Sequence, residues 1–118
     1  MRRNEITDEL IQLSKRAKEL GFPQDVEEGD WILMGGEEPL LVSEDEIDHV
    51  LQHEALCLSF SICLEWLSGK FEKIEVWRNI PEKWYCRWSS KNKHWRQGKT
   101  HHEAIAKAVI KILEAQDE

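Results

Sequence analysis

Three groups of side chains have the types and spacing to do chemistry. His49, His53 and Cys57 fall at i, i+4 and i+8, so a helix through them would present two imidazoles and a thiol on one face. Two histidines one turn apart can chelate Zn²⁺, but the metalloprotease form needs a glutamate after the first histidine, and Val50 stands there. No fourth ligand or orienting partner is in reach, so no bound metal is expected. His101 and His102 stand beside Glu103 at the start of a helix, where the macrodipole disfavours imidazolium. No serine or cysteine has a nucleophile's spacing to either, and both are expected to be exposed cap residues. The third group is the segment from Lys83 to Lys99, with six basic residues, no acid, and Trp84, Tyr85, Trp88 and Trp95 interleaved. Aromatic rings stack on bases for about 1–3 kcal/mol each while Lys and Arg follow the phosphates.

Those side chains need elements to position them. Ile74 and Val76 alternate with Glu75 and Trp77, and Trp84, Cys86 and Trp88 alternate with Tyr85 and Arg87. Period two means strands with one buried face. Pro81 and the Ser89-to-Asn92 cluster mark turns, and Lys93 to Gln97 reads as a short third strand. Thr100-x-x-Glu103 is a capping box, and Ile105, Ala108, Val109 and Ile112 give the following helix an apolar stripe, with Lys107 and Lys111 off it. Ile74, Val76, Trp84, Cys86 and Trp88 are expected under that helix. The second face then carries Trp77, Tyr85, Arg87, Lys93 and Trp95, the candidate face for nucleic acid or a partner.

Upstream, Asn4 is read as the cap of a first helix carrying Ile6, Leu10, Leu13, Ala17 and Leu20, stopped by Gly21 and Pro23. Residues 31–34 and 39–42 flank Gly35-Gly36 as a hairpin. Ser43-x-x-Glu46 opens a further helix, and Leu56-Cys57-Leu58 either continues it or forms an extended link. Ser59 caps a short, nearly all-apolar helix ending at Gly69, which should be buried on most sides.

With 118 residues and 41% apolar content, the chain suffices for one domain and one core. Residues 1–69 carry a net charge of −11 and residues 70–118 a net of +4, giving −7 for the whole. Either the halves pack together or the basic part meets an anionic partner. No apolar run approaches the ~20 residues of a membrane span, and no secretory leader follows Met1. Three scattered cysteines without a CxxC pair read as reduced, buried thiols of a cytoplasmic protein. The carboxylate runs at Glu27-Glu28, Glu37-Glu38 and Glu44-Asp45-Glu46 contain no calcium-loop pattern.

From Ser59 to Glu114 the chain resembles the small αββα, sandwich-type proteins of prophages, matching at Gly98, Thr100, Glu103, Ala104, Ile105, Ala108 and Val109. Leu20-Gly21-Phe22-Pro23 and Gly29-Asp30-Trp31 are similar to other prophage-type proteins. Gly98-x-Thr100-x-x-Glu103-Ala104 is also similar to HicB-like antitoxins, although the P-x-x-P-G-C strand of that family is missing. Double-stranded RNA-binding domains likewise end in a sheet and a helix. Where they place a lysine pair, this chain has His101, His102 and Glu103, so duplex RNA is disfavoured.

The expectation is a single α+β domain over residues 1–118. An acidic helix–hairpin–helix part (1–58) precedes a helix–meander–helix part (59–118), whose three-stranded sheet lies under the capped C-terminal helix. Residues 1–58 are expected to cover the second sheet face. The favoured function is a non-catalytic, cytoplasmic protein-interaction module of mobile-element type, binding another protein or itself, with no cofactor and no membrane. The alternative is single-stranded nucleic-acid binding on the Trp-rich face, or an antitoxin-like regulator.

Overall fold

The computed structural model describes residues 1–33, 38–43, 55–88 and 95–116. The Gly35-Gly36 turn, the helix opened by Ser43, His49, His53, the Ser89-to-Asn92 turn and Lys93 fall wholly or partly outside them.

A single 3-10 turn, Arg3–Glu5, precedes the first helix, α1 (Asp8–Glu19). Asn4 lies in that turn and does not cap the helix. Thr7 does, with extended backbone and a hydroxyl accepting from the Leu10 amide at 3.1 Å. Asp8 and Glu9 directly after it suit the positive end of the helix, which explains why the start falls there. The stop is as expected. Gly21 takes φ +96°, the Phe22 amide donates to Ala17 O at 2.9 Å, and the Gly21 amide donates to Lys18 O at 3.0 Å.

Two small antiparallel sheets follow. In the first, β1 (Trp31–Leu33) lies between β2 (Leu40–Leu41) and β3 (Ala55–Leu56). The hairpin partners are present, with Trp31 opposite Leu41 and Ile32 opposite Leu40. Ala55–Leu56 turns the hairpin into a three-stranded sheet, pairing with Leu33 and Ile32. The chain is therefore extended here, and Cys57 leaves the strand with its amide donating to Trp31 O at 2.9 Å. Side chains hold this segment in place. Gln24 Oε1 accepts from the Leu56 amide at 2.8 Å, and Ser14 Oγ accepts from the Leu58 amide at 2.9 Å.

Ser59 caps α2 (Phe60–Ser68), its hydroxyl accepting from the Ile62 amide. The second sheet runs β4 (Ile74–Ile80), β5 (Lys83–Trp88), β6 (Trp95–Gly98), in that spatial order. Ile74 pairs with Trp88, Val76 with Cys86 and Arg78 with Trp84, which places the expected apolar set on one face. That face meets α3 (His101–Gln116). Gly98 makes the approach tight, since a Cβ there would lie 2.5 Å from Ala104 N and 2.8 Å from Glu103 C.

The helix α3 differs from its expected form. Beyond the stripe, Ala104, Ala106, Ile110 and Leu113 are also buried, because α3 lies between the sheet on one side and α1 and α2 on the other. Its second apolar surface had to be covered, and the N-terminal part covers it. Opposite charges help at this contact, where Lys107 Nζ lies 2.7 Å from Glu9 and Arg16 lies 3.9 Å from Glu114. Among the described residues, the acidic half contributes α1 to the far side of α3.

Cys57, Cys63 and Cys86 are free and buried, as the sequence suggested. Burial raises the Cys57 and Cys86 thiols to about 12 and pushes Cys63 higher still, which disfavours the reactive thiolate.

Candidate aromatic binding face

The outer face of the second sheet carries every other residue of its strands. Glu75 stands opposite Arg87, Trp77 opposite Tyr85, Tyr85 opposite Gln97 and Arg87 opposite Trp95. The alternation that put Val76 and Cys86 inside puts Trp77, Tyr85, Arg87 and Trp95 together outside, as the sequence indicated; Lys93 is outside the described residues. Trp77 is 37% exposed and Trp95 44%, so the described residues of the N-terminal part leave these rings open, contrary to the expected covering. The cause is the layer order, since α3 rather than this face takes up the N-terminal helix.

The rings form a row across three strands. Trp77 stacks on Tyr85 with centroids 5.4 Å apart and planes 14° from parallel, and Tyr85 meets Trp95 at 5.8 Å and 51°. The Arg87 guanidinium lies 5.8 Å from the Trp77 centroid, within cation–π range. Together with Asn79 these residues line a shallow cleft of about 300 Å³. A flat ring sandwiched between two others needs about 7–8 Å between their centroids, so nothing inserts between these neighbours. A ligand must stack on their free faces and edges.

Charge on this face is partly compensated. Arg87 pairs with Glu75, and Lys73 Nζ sits 3.1 Å from the same carboxylate. Lys73, and then Arg87, hold Glu75 below the usual carboxylate range. Two cations against one carboxylate leave the cluster positive. Asn79 and Glu75 were not singled out in the sequence. The register that pairs Glu75 with Arg87 is the signal that locates them.

The histidines take other roles. His102 is 4% exposed, contrary to the expected exposed cap residue, because the N-terminal turn and α2 close over it. Its Nδ1 accepts from the Phe60 amide at 2.8 Å, which fixes the proton on Nε2, and Nε2 donates to Glu5 at 3.1 Å. Glu5 also accepts from the Arg2 amide at 2.6 Å. Burial, and then the neighbouring His101, hold the His102 pKa below its ordinary value against the pull of Glu5. Glu5, His101 and His102 are close enough to suggest a metal cluster. Metal at Nε2 would require the proton on Nδ1, facing the Phe60 N–H, so the wiring opposes ligation. His101 instead packs its ring against Phe60 and Trp84, both at 5.2 Å. Cys57 lies beyond a strand, so the helical spacing that linked it to His49 and His53 does not hold at its end.

The Thr100 side of the capping box is formed. Thr100 Oγ1 accepts from the Glu103 amide at 3.1 Å. The Glu103 carboxyl lies against the side chains of Glu9, Thr100 and Thr7. Glu103 is 1% exposed, and its Oε2 has no hydrogen-bond partner. Burial, followed by the Glu9 carboxylate, raises its pKa, whereas Lys107 lowers that of Glu9.

An α+β chain with exposed tryptophans on one sheet face is the class that fold and site define. In comparisons with known proteins, no family model, no curated protein and no solved structure matches the chain.

Proposed function

We propose that this protein is a non-catalytic binding module that takes single-stranded nucleic acid on the outer face of β4, β5 and β6. One observation carries the reading: Trp77 and Trp95 are exposed in a row with Tyr85, beside a positive Arg87–Glu75–Lys73 cluster. Water contact on large rings is costly, and soluble proteins rarely leave such a row open without use. The rings already pack on one another, so little side-chain entropy is lost when a base stacks on them. Lys83 and Lys99 lie in the same acid-free segment and can neutralise phosphates. The overall charge of −7 opposes diffuse attraction to polyanions, so binding should be local and should depend on the rings. The resemblance of residues 98–109 to prophage-type proteins suggests a mobile-element setting.

Tryptophan fluorescence tests the reading. Titration with single-stranded oligothymidine or oligouridine should quench emission saturably, and affinity should fall steeply with salt as counterions are released. Trp77→Ala combined with Arg87→Ala should abolish the quenching. If the wild type shows no quenching at low salt, or if duplex binds as well as single strand, the proposal fails.

A further inference from the structure

The row of rings on the outer face ends at β6, an edge strand of its sheet. Alternation places Trp95 on that face and Arg96, which pairs with Cys86, on the opposite side of the same strand. The Arg96 guanidinium is held at this edge, with Nη1 donating to Trp95 O at 2.7 Å. Around the edge lies a shallow cleft of about 230 Å³ between β6, α1 and α3. Leu13 and Ile110 give it apolar surface, and Arg96, Lys107, Lys111 and Glu114 give it charge.

Two of these cations are uncommitted. Lys107 Nζ lies 2.7 Å from Glu9, and Glu114 lies 3.9 Å from Arg16. Among the described residues, no carboxylate is within ion-pair distance of Arg96 or Lys111. The chain has 23 acids against 16 bases, yet none of the described acids closes on this pair. Lys111 stands one helical turn beyond Lys107, so the two lie on the same side of α3. Like charges gathered at one cleft repel one another, and an anionic occupant relieves this.

We propose that a single strand bound on the ring row continues over the β6 edge and lays its next phosphates in this cleft, against Arg96 and Lys111. The proposal rests on the nucleic-acid reading and gives that site a direction and a length. Rings stack on bases whatever the sequence but bring no charge, and Arg87 is shared with Glu75. The phosphates beyond Trp95 therefore find their cations around the edge. The Arg96 guanidinium can hold a phosphate in bidentate fashion, and the Lys111 ammonium acts as a point charge.

The test measures tryptophan quenching of the full chain by oligothymidine of about 4 nucleotides, enough for the rings, and of about 12, enough to reach the cleft. Arg96→Gln with Lys111→Gln should weaken the longer strand at least about tenfold at about 50 mM salt. The same variant should lower the slope of log affinity against log salt by about 1.4, because two phosphate contacts are lost. Affinity for the shorter strand should stay within about twofold of the wild type. Lys111→Gln alone, at an exposed position, should lower the slope by about half as much. Lys18→Gln with Lys70→Gln, the same charge change outside the cleft, should leave the slope unchanged. Circular dichroism confirms the fold of each variant. An unchanged slope in the first double variant, equal loss for the two strand lengths, or equal loss in the two double variants would overturn the continuation alone. Absence of quenching by either strand in the wild type would overturn the nucleic-acid reading itself, and the continuation with it.

Discussion

Ser14 shows how much one polar atom decides at the residue scale. Its hydroxyl donates to Leu10 O at 2.8 Å within α1 and accepts from the Leu58 amide across the core, with no solvent exposure. Ser14→Ala leaves the Leu58 N–H buried and unpaired, so a loss of about 1–3 kcal/mol is expected in urea unfolding. Glu103 sets a pH dependence. Its folded pKa is raised above the ordinary 4.5, so its contribution is complete below that value and is lost as pH rises through the folded pKa. His102 has the opposite sign: its folded pKa lies below 6.5, so stability is gained as pH rises toward 6.5 and lost as it falls. Comparing wild type with Glu103→Gln isolates the first effect. The wild type should lose stability relative to the variant as pH climbs above the ordinary 4.5, and parallel curves would remove Glu103 from the account. None of this was legible beforehand, because a sequence shows that Glu103 can cap but not that α1 will bring Glu9 against it.

At the scale of elements, signals carried by neighbouring residues were the readable ones. The Gly21 stop, the Ser59 cap, the alternation of β4 and β5 and the Thr100 cap each depend on residues within a turn or a strand pair. Signals that depend on tertiary partners were not readable. Two residues of β3 are too few to show a period, and the Asn4 cap loses to Thr7 because Glu5 is drawn to the Arg2 amide and to His102. Two substitutions test the junction of β6 and α3. Thr100→Ala removes one cap bond and should cost about 1 kcal/mol. Gly98→Ala places a methyl against backbone atoms of Glu103 and Ala104, which cannot swing aside as a flexible side-chain tip can. It should cost about 1–3 kcal/mol by forcing sheet and helix apart, and a neutral result in thermal melts would mean that the contact relaxes freely.

For the whole molecule, the ordering of layers matters most, and it follows from α3. A helix with one apolar stripe would have sat on its sheet and left the acidic half free to cover the Trp-rich face. With Ala104, Ala106, Ile110 and Leu113 also apolar, α3 recruits α1 and α2 to its far side, and Trp77 and Trp95 on the outer sheet face stay exposed. Those four residues were visible in the sequence as apolar positions off the stripe, but the arrangement they impose depends on what else the chain has to offer. The consequence is an asymmetry between tryptophans on the same three strands. Trp88 is 3% exposed and packs within the main core, so Trp88→Ala should cost about 3–5 kcal/mol through lost transfer energy and the cavity left behind. Trp77→Ala and Trp95→Ala remove rings that rest mainly on Tyr85, so each should cost only about 1 kcal/mol. Paired measurements of unfolding free energy and oligonucleotide quenching should therefore separate the two faces: Trp88→Ala loses stability first, whereas Trp77→Ala and Trp95→Ala lose binding while the fold persists. A stability loss at Trp77 or Trp95 equal to that at Trp88 would mean that the outer face is covered in solution and that the layer order described above is wrong.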